Sequence, residues 1–235
     1  MKNGEKEKSS PELFLERFIA NGFSLEGTDD KEIMRYLLSV CSGKTAGSAE
    51  AEEILAEKLG SVSRLLFAIP SELCENGTMS ESAVKRLKII SSMFALTELE
   101  KIGDMIPADD ESRIKRYLSL LYMPHTCEVV YIIPIKGSRL GKPYMLSKGT
   151  DMSVNIDVEK IISVLGSSPS CKEFIISHSH PHDTSKPSEQ DISATEQLFG
   201  YLYTCGYTLK AHYIAGVDGV SRVPFNDNPV RYFFS

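Results

Sequence analysis

The hydrophobic period changes once along this chain, and that change constrains the fold more than any other feature. Up to about residue 100, apolar residues recur at the three- and four-residue spacing of amphipathic helices. "PELFLERFIANG" places Leu13, Phe14, Phe18 and Ile19 on one stripe and stops at Gly22. "TDDKEIMRYLLSVC" opens on the capping residues Thr28 to Asp30, and "GSAEAEEILAEKLG" predicts a helix from Ser48 to Gly60. "VSRLLFAIPSEL" reads as a short helix broken at Pro70, and "ESAVKRLKIISSMFALTELEKIG" as a long one. A polar connector, "GDMIPADDES", and a further helix, "SRIKRYLSLLY", follow. Beyond them the pattern becomes strand-like. "CEVVYIIPI" is a buried β-branched run, "GSRLGK" a turn, "PYMLSKG" and "DMSVNI" weaker strands, and "DVEKIISVLG" a helix. "KEFIISHSH" predicts a strand ending at Pro181, followed by a helix from Ser188 to Gly206 and closing strands "YTLKAHYIAG" and "GVSRVPF". The expected layout is a frayed tail over 1–10, a helical domain over 11–108 and an α/β domain over 109–235.

Composition sets limits on function. A net charge of −6 disfavours a protein whose main task is wrapping nucleic acid, which needs clustered Lys and Arg. Five scattered cysteines with no C-x-x-C pair suit reduced thiols and a cytoplasmic setting. The charged start predicts no secretory leader, and no apolar run approaches the roughly 20 residues of a membrane span. No feature specifies an oligomer.

"HSHPHDTSKPSEQD" concentrates chemistry. Strand side chains alternate, so His178 and His180 share a face while Ser179 points away. Two such imidazoles suit a zinc ion at about 2.0–2.1 Å, and a catalytic site wants one more protein ligand. Asp191, in the first turn of the next helix beside Ser188, is the candidate, and the helix N-terminus favours a carboxylate there. A bound metal brings the pKa of its water to about 7, and a nearby carboxylate must still carry protons. Taken alone, Ser188-x-x-Asp191 is a capping box. With five histidines in 235 residues, a chance H-x-H arises about once in ten such chains. Requiring Pro, Ser and Asp at fixed offsets makes the set rarer than about one in ten thousand.

This pattern resembles the JAMM motif, H-[ST]-H-x7-S-x-x-D, of MPN-domain metalloproteases, and within them the RadC family, named for DNA repair. "HSHP", Pro187-Ser188 and the Asp191 to Thr195 spacing match the RadC pattern. "KGTDMSV" and "AHYIAG" are similar to its flanking segments, with His212 retained and Ala211 in place of an Asp. The resemblance implies an MPN (cytidine-deaminase-like) fold, with a mixed sheet flanked by helices after an all-helical leader. It implies a zinc-dependent hydrolase of a peptide or isopeptide substrate. His178, His180 and Asp191 would hold Zn2+, Ser188 would steady the oxyanion, and Glu128 at the start of the first strand would be the general acid–base, with Glu159 and Glu173 as fallbacks. His182 would reach the site or stay exposed. Ala211 would deprive the site of an orienting partner. The alternative is a DNA- or protein-binding scaffold. Its weak points are Met79, where the family's helix-hairpin-helix turn carries glycine, and basic runs at 84–88 and 113–117 that read as solvated helix faces.

Overall fold

A computed structural model describes residues 10–43, 48–102, 106–149, 158–167 and 171–227. The chain forms two compact units, Met1–Met93 and Phe94–Ser235, and the division falls inside a long helix rather than in the polar connector after it.

The first unit is helical. Helices α1 (Ser10–Ala20), α2 (Asp30–Ser42), α3 (Ser48–Leu59), α4 (Val62–Phe67) and α5 (Pro70–Cys74) are followed by a single 3-10 turn and by α6 (Glu81–Ile102). Local chemistry sets the boundaries. The Asp29 side chain accepts from the Lys31 amide at the start of α2, and the Ser61 hydroxyl accepts from the Arg64 amide at the start of α4. Pro70 opens α5 instead of merely ending α4, because the first turn of a helix does not need its missing N–H. Met34, Leu38, Leu65, Leu73 and Leu87 are fully buried, each contributing roughly 1.5–3 kcal/mol by leaving water.

The second unit begins with the last turns of α6, whose Leu99 and Ile102 pack into its core. Helix α7 (Glu111–Tyr122) follows, then β1 (Val129–Lys136), β2 (Arg139–Leu140), β3 (Tyr144–Lys148), α8 (Val158–Gly166), β4 (Glu173–Ser179), α9 (Glu189–Thr204), β5 (Thr208–Gly216) and β6 (Gly219–Arg222). The segment "GSRLGK", expected as a turn, also supplies β2: Gly137 and Ser138 turn with positive φ, and Arg139 and Leu140 pair back on β1. The strand expected at "DMSVNI" lies outside the described residues.

The sheet runs β2-β1-β4-β5-β6, with β3 also on β1. It is mixed: β1 is antiparallel to β4, and β4 is parallel to β5 through the α9 crossover. Alternation sorts the side chains onto two faces. Tyr131, Ile133, Ile175, Ala211 and Tyr213 pack against Ile114, Leu118 and Tyr122 of α7. Val130, Ile132, Phe174, Ile176 and Leu209 pack against Ile161 and Leu165 of α8 and Leu198 and Leu202 of α9. Cover on both faces explains why β1 and β4 read as nearly continuous apolar runs. This is the mixed α/β architecture with an all-helical N-terminal region that the sequence implied.

Candidate metal centre

The β4–α9 connection builds the site. His178, near the C-terminal end of β4, and His180, the residue after the strand, stand on its α9 side. The chain turns at Pro181, and the first turn of α9 brings Asp191 back over the two imidazoles. His178 Nε2 lies 2.9 Å from His180 Nε2 and 3.3 Å from Asp191 Oδ1. His180 Nε2 lies 3.9 Å from Asp191 Oδ2. Two ligands about 2.0–2.1 Å from one tetrahedral zinc sit about 3.3 Å apart. The three separations bracket that value, so the donor set fits a small divalent cation by geometry and by chemistry. Among the described residues these three form the only such group of His, Cys, Asp and Glu side chains.

Ser188 does two things at once. Its hydroxyl accepts from the Asp191 amide at 3.1 Å, and the Asp191 carboxylate accepts from the Ser188 amide at 2.8 Å, a reciprocal capping box. The hydroxyl also donates to Asp191 Oδ2 at 2.6 Å. The cap therefore holds the carboxylate in place. Burial pushes the Asp191 carboxyl up, but the adjoining His178 ring and the hydrogen bonds from Ser188 outweigh it and hold the group well below the usual carboxylate range.

Glu128 immediately precedes β1 and is half-buried. The recorded β1–β4 pairing ends with Val130 opposite His178, so Glu128 enters the sheet at the same end as the two imidazoles. Ser179, pointing to the other face, anchors the backbone on either side of it: its hydroxyl accepts from the Val129 amide at 3.1 Å and donates to the Cys127 carbonyl at 3.4 Å. The fallback glutamates stand elsewhere. Glu173 opens β4 at its opposite end and pairs with Lys210 at 3.3 Å, and Glu159 is exposed on α8. His182 is exposed in the loop.

Sequence pattern assigns no role to two residues that touch the site. His212, in the apolar run of β5, is almost fully buried. Its Nε2 lies 2.8 Å from His178 Nδ1 and its Nδ1 lies 2.6 Å from the Thr195 hydroxyl. Burial, reinforced by the neighbouring His178, lowers the His212 pKa to about 3 and keeps the ring neutral. Its neighbour Ala211 faces the α7 side and packs with Ile175 and Tyr213. The expected loss of an orienting partner at 211 is thus corrected, because strand alternation turns that position away from the imidazoles. Sequence gives two signals for His212, a histidine in an otherwise apolar strand and its retention in the family-like segment "AHYIAG", and neither says what the ring touches.

The loop between His180 and Ser188 is tied to the β5–β6 turn. The His180 amide donates to the Ala215 carbonyl at 2.7 Å, and the Val217 amide donates to the Asp183 carbonyl at 3.0 Å. The Ser185 amide donates to Asp218 Oδ1 at 2.6 Å. Gly216 makes this approach possible, because a Cβ there would stand 2.2 Å from the Ser185 amide nitrogen.

A profile of the RadC-like JAB domain matches residues 108–227. The chain belongs to the RadC family. It is similar to a UPF0758 protein of Vibrio campbellii, 23% identical over 175 residues, covering 73% of this chain and 76% of that one. A UPF0758 protein of Neisseria meningitidis is 23% identical over 192 residues, covering 81% and 84%. A UPF0758 protein of Porphyromonas gingivalis is 26% identical over 204 residues, with the same shares. No described helix of this RadC-family chain is long and apolar enough to cross a membrane.

Proposed function

We propose that this RadC-family chain is a zinc-dependent hydrolase of an amide bond in a peptide or isopeptide substrate. The observation that carries the reading is the convergence of His178 Nε2, His180 Nε2 and an Asp191 carboxylate oxygen within 4.8 Å of one another at a strand end. Bound there, a divalent cation supplies Lewis-acid polarisation and a nucleophile from water at neutral pH. His178, His180 and Asp191 hold the cation. Glu128 takes the proton from the attacking water and delivers it to the departing amine. Ser188 first fixes Asp191. With a cation bound, the Ser188 hydroxyl would be free to donate to the developing oxyanion, a contribution of about 3 kcal/mol.

Metal analysis tests the ligand set. The purified chain should carry about one zinc, and His178→Ala should abolish it. Metal retained unchanged after that substitution defeats the assignment. Glu128→Gln should keep the zinc and lower turnover of an isopeptide substrate by about 10²–10⁴-fold.

The rival reading, a scaffold that docks DNA through its helical unit, draws less support. In the turn that would face phosphate, Met79 is buried and its amide donates to the Leu73 carbonyl at 3.1 Å. In the basic runs, Lys85 pairs with Glu81, Arg113 with Asp110, Lys115 with Glu111 and Arg116 with Glu98. Retention on DNA that falls steeply with salt and ignores metal would favour the scaffold.

A further inference from the structure

An imidazole binds a metal through a nitrogen that carries no proton, so a two-histidine centre works only if both rings hold their one proton on the far side. Neither ring decides this alone. We propose that His212 and Thr195 form a one-way hydrogen-bond relay that fixes His178 with its bare Nε2 toward the metal point, while the Thr184 carbonyl fixes His180 in the same sense.

The direction of the relay follows from what each atom can do. The Asp191 main-chain oxygen only accepts, so the Thr195 hydroxyl, 2.5 Å away, donates its single proton there. The Thr195 oxygen must then accept from the other neighbour, His212 Nδ1 at 2.6 Å. His212 is 2% exposed, and its two ring nitrogens meet the Thr195 hydroxyl and the His178 ring. A neutral ring with its proton on Nδ1 leaves Nε2 as an acceptor. That nitrogen lies 2.8 Å from His178 Nδ1, which therefore donates. The proton of His178 is spent on this bond, and its Nε2 lone pair is left facing His180 and Asp191. His180 Nδ1 lies 3.1 Å from the Thr184 carbonyl, which likewise only accepts, so His180 also keeps Nε2 bare. Thr184 is held by the same loop that Gly216 and Asp218 brace. The relay starts on the main chain of Asp191 itself, so Asp191 and His178 share one hydrogen-bonded frame, and the Thr184 carbonyl holds His180 beside it.

This assigns His212, Thr195 and Thr184 as positioning residues, and it rests on the metal-centre reading for its consequence but not for its test. In the metal-free full-length protein, above the imidazole titration range, long-range nitrogen–proton spectra should show His178, His180 and His212 each protonated on Nδ1. His178 protonated on Nε2 and bare on Nδ1 overturns the relay whatever the protein binds. Zinc affinity, measured by competition with a chromogenic chelator, gives the second readout. Thr195→Val keeps the volume and removes the hydroxyl, and should weaken zinc binding about 10–100-fold. Thr195→Ser restores the hydroxyl and should return the affinity to near the original. Equal zinc affinity in all three proteins overturns the proposal. Wild-type protein that binds no zinc sinks the metal centre instead, and the spectra still decide the relay. Should Thr195→Val fail to fold, the wild-type spectra remain decisive.

Discussion

At Gly216 the absence of a side chain is the structural requirement. A Cβ would meet the Ser185 amide nitrogen at 2.2 Å and the Thr184 carbonyl carbon at 2.3 Å. Both are backbone atoms, which cannot rotate out of the way. Gly216→Ala should therefore lift the 181–187 loop from the strand end, at a cost of about 1–3 kcal/mol. Because the Thr184 carbonyl moves with that loop, zinc affinity should fall too, although residue 216 touches no ligand. Thermal unfolding and chelator competition on one preparation check both halves. Unchanged affinity with lowered stability would separate the loop from the site.

Helix α9 couples a structural device to a chemical one. Ser188 caps it and also restrains the ligand Asp191 through the same hydroxyl. Ser188→Ala should cost about 0.5–2 kcal/mol in metal-free protein, the ordinary worth of a lost N-cap. Amide exchange in the first turn of α9 should rise, and exchange in β4 should not. The two roles separate on adding metal. The capping cost persists in both states, whereas a weakened ligand reduces the zinc-induced gain in stability. A variant as stable as the parent without metal would show that the capping box contributes little to α9.

Two compact units predict two separable responses. The proposed zinc ligands all lie in Phe94–Ser235, so zinc at about a thousand times its dissociation constant should stabilise that unit by about 4 kcal/mol. A chelator should reverse the gain and leave the midpoint of the helical unit unmoved. Lys88 gives the helical unit its own handle. Burial lowers its pKa to about 8, with Glu72 opposing the shift. Between about pH 8 and 10.4 the unfolded chain holds this proton more tightly than the folded one, so stability rises with pH through that window. Lys88→Met should remove the rise and stabilise the unit near neutral pH by about 1 kcal/mol, allowing for partial solvent access. The urea midpoint of the helical unit, followed by amide exchange at two pH values, checks the sign. A parent protein that weakens from pH 8 to 10 contradicts it.

What the sequence alone determined is local. Helical spacing named the elements of the first unit, and strand alternation put His178 and His180 on one face, because both periods follow from backbone geometry within a few residues. For the same reason, the H-x-H and Ser-x-x-Asp spacings named the three side chains that converge. Tertiary structure decided the rest. His212 meets His178 across 34 positions, and Ser179 anchors the start of β1 across 50. Which glutamate enters the sheet at the imidazole end, which face Ala211 takes and which partners each ring nitrogen meets all depend on strand register and on the α9 crossover. Those are relations between elements, and no periodicity inside one element encodes them.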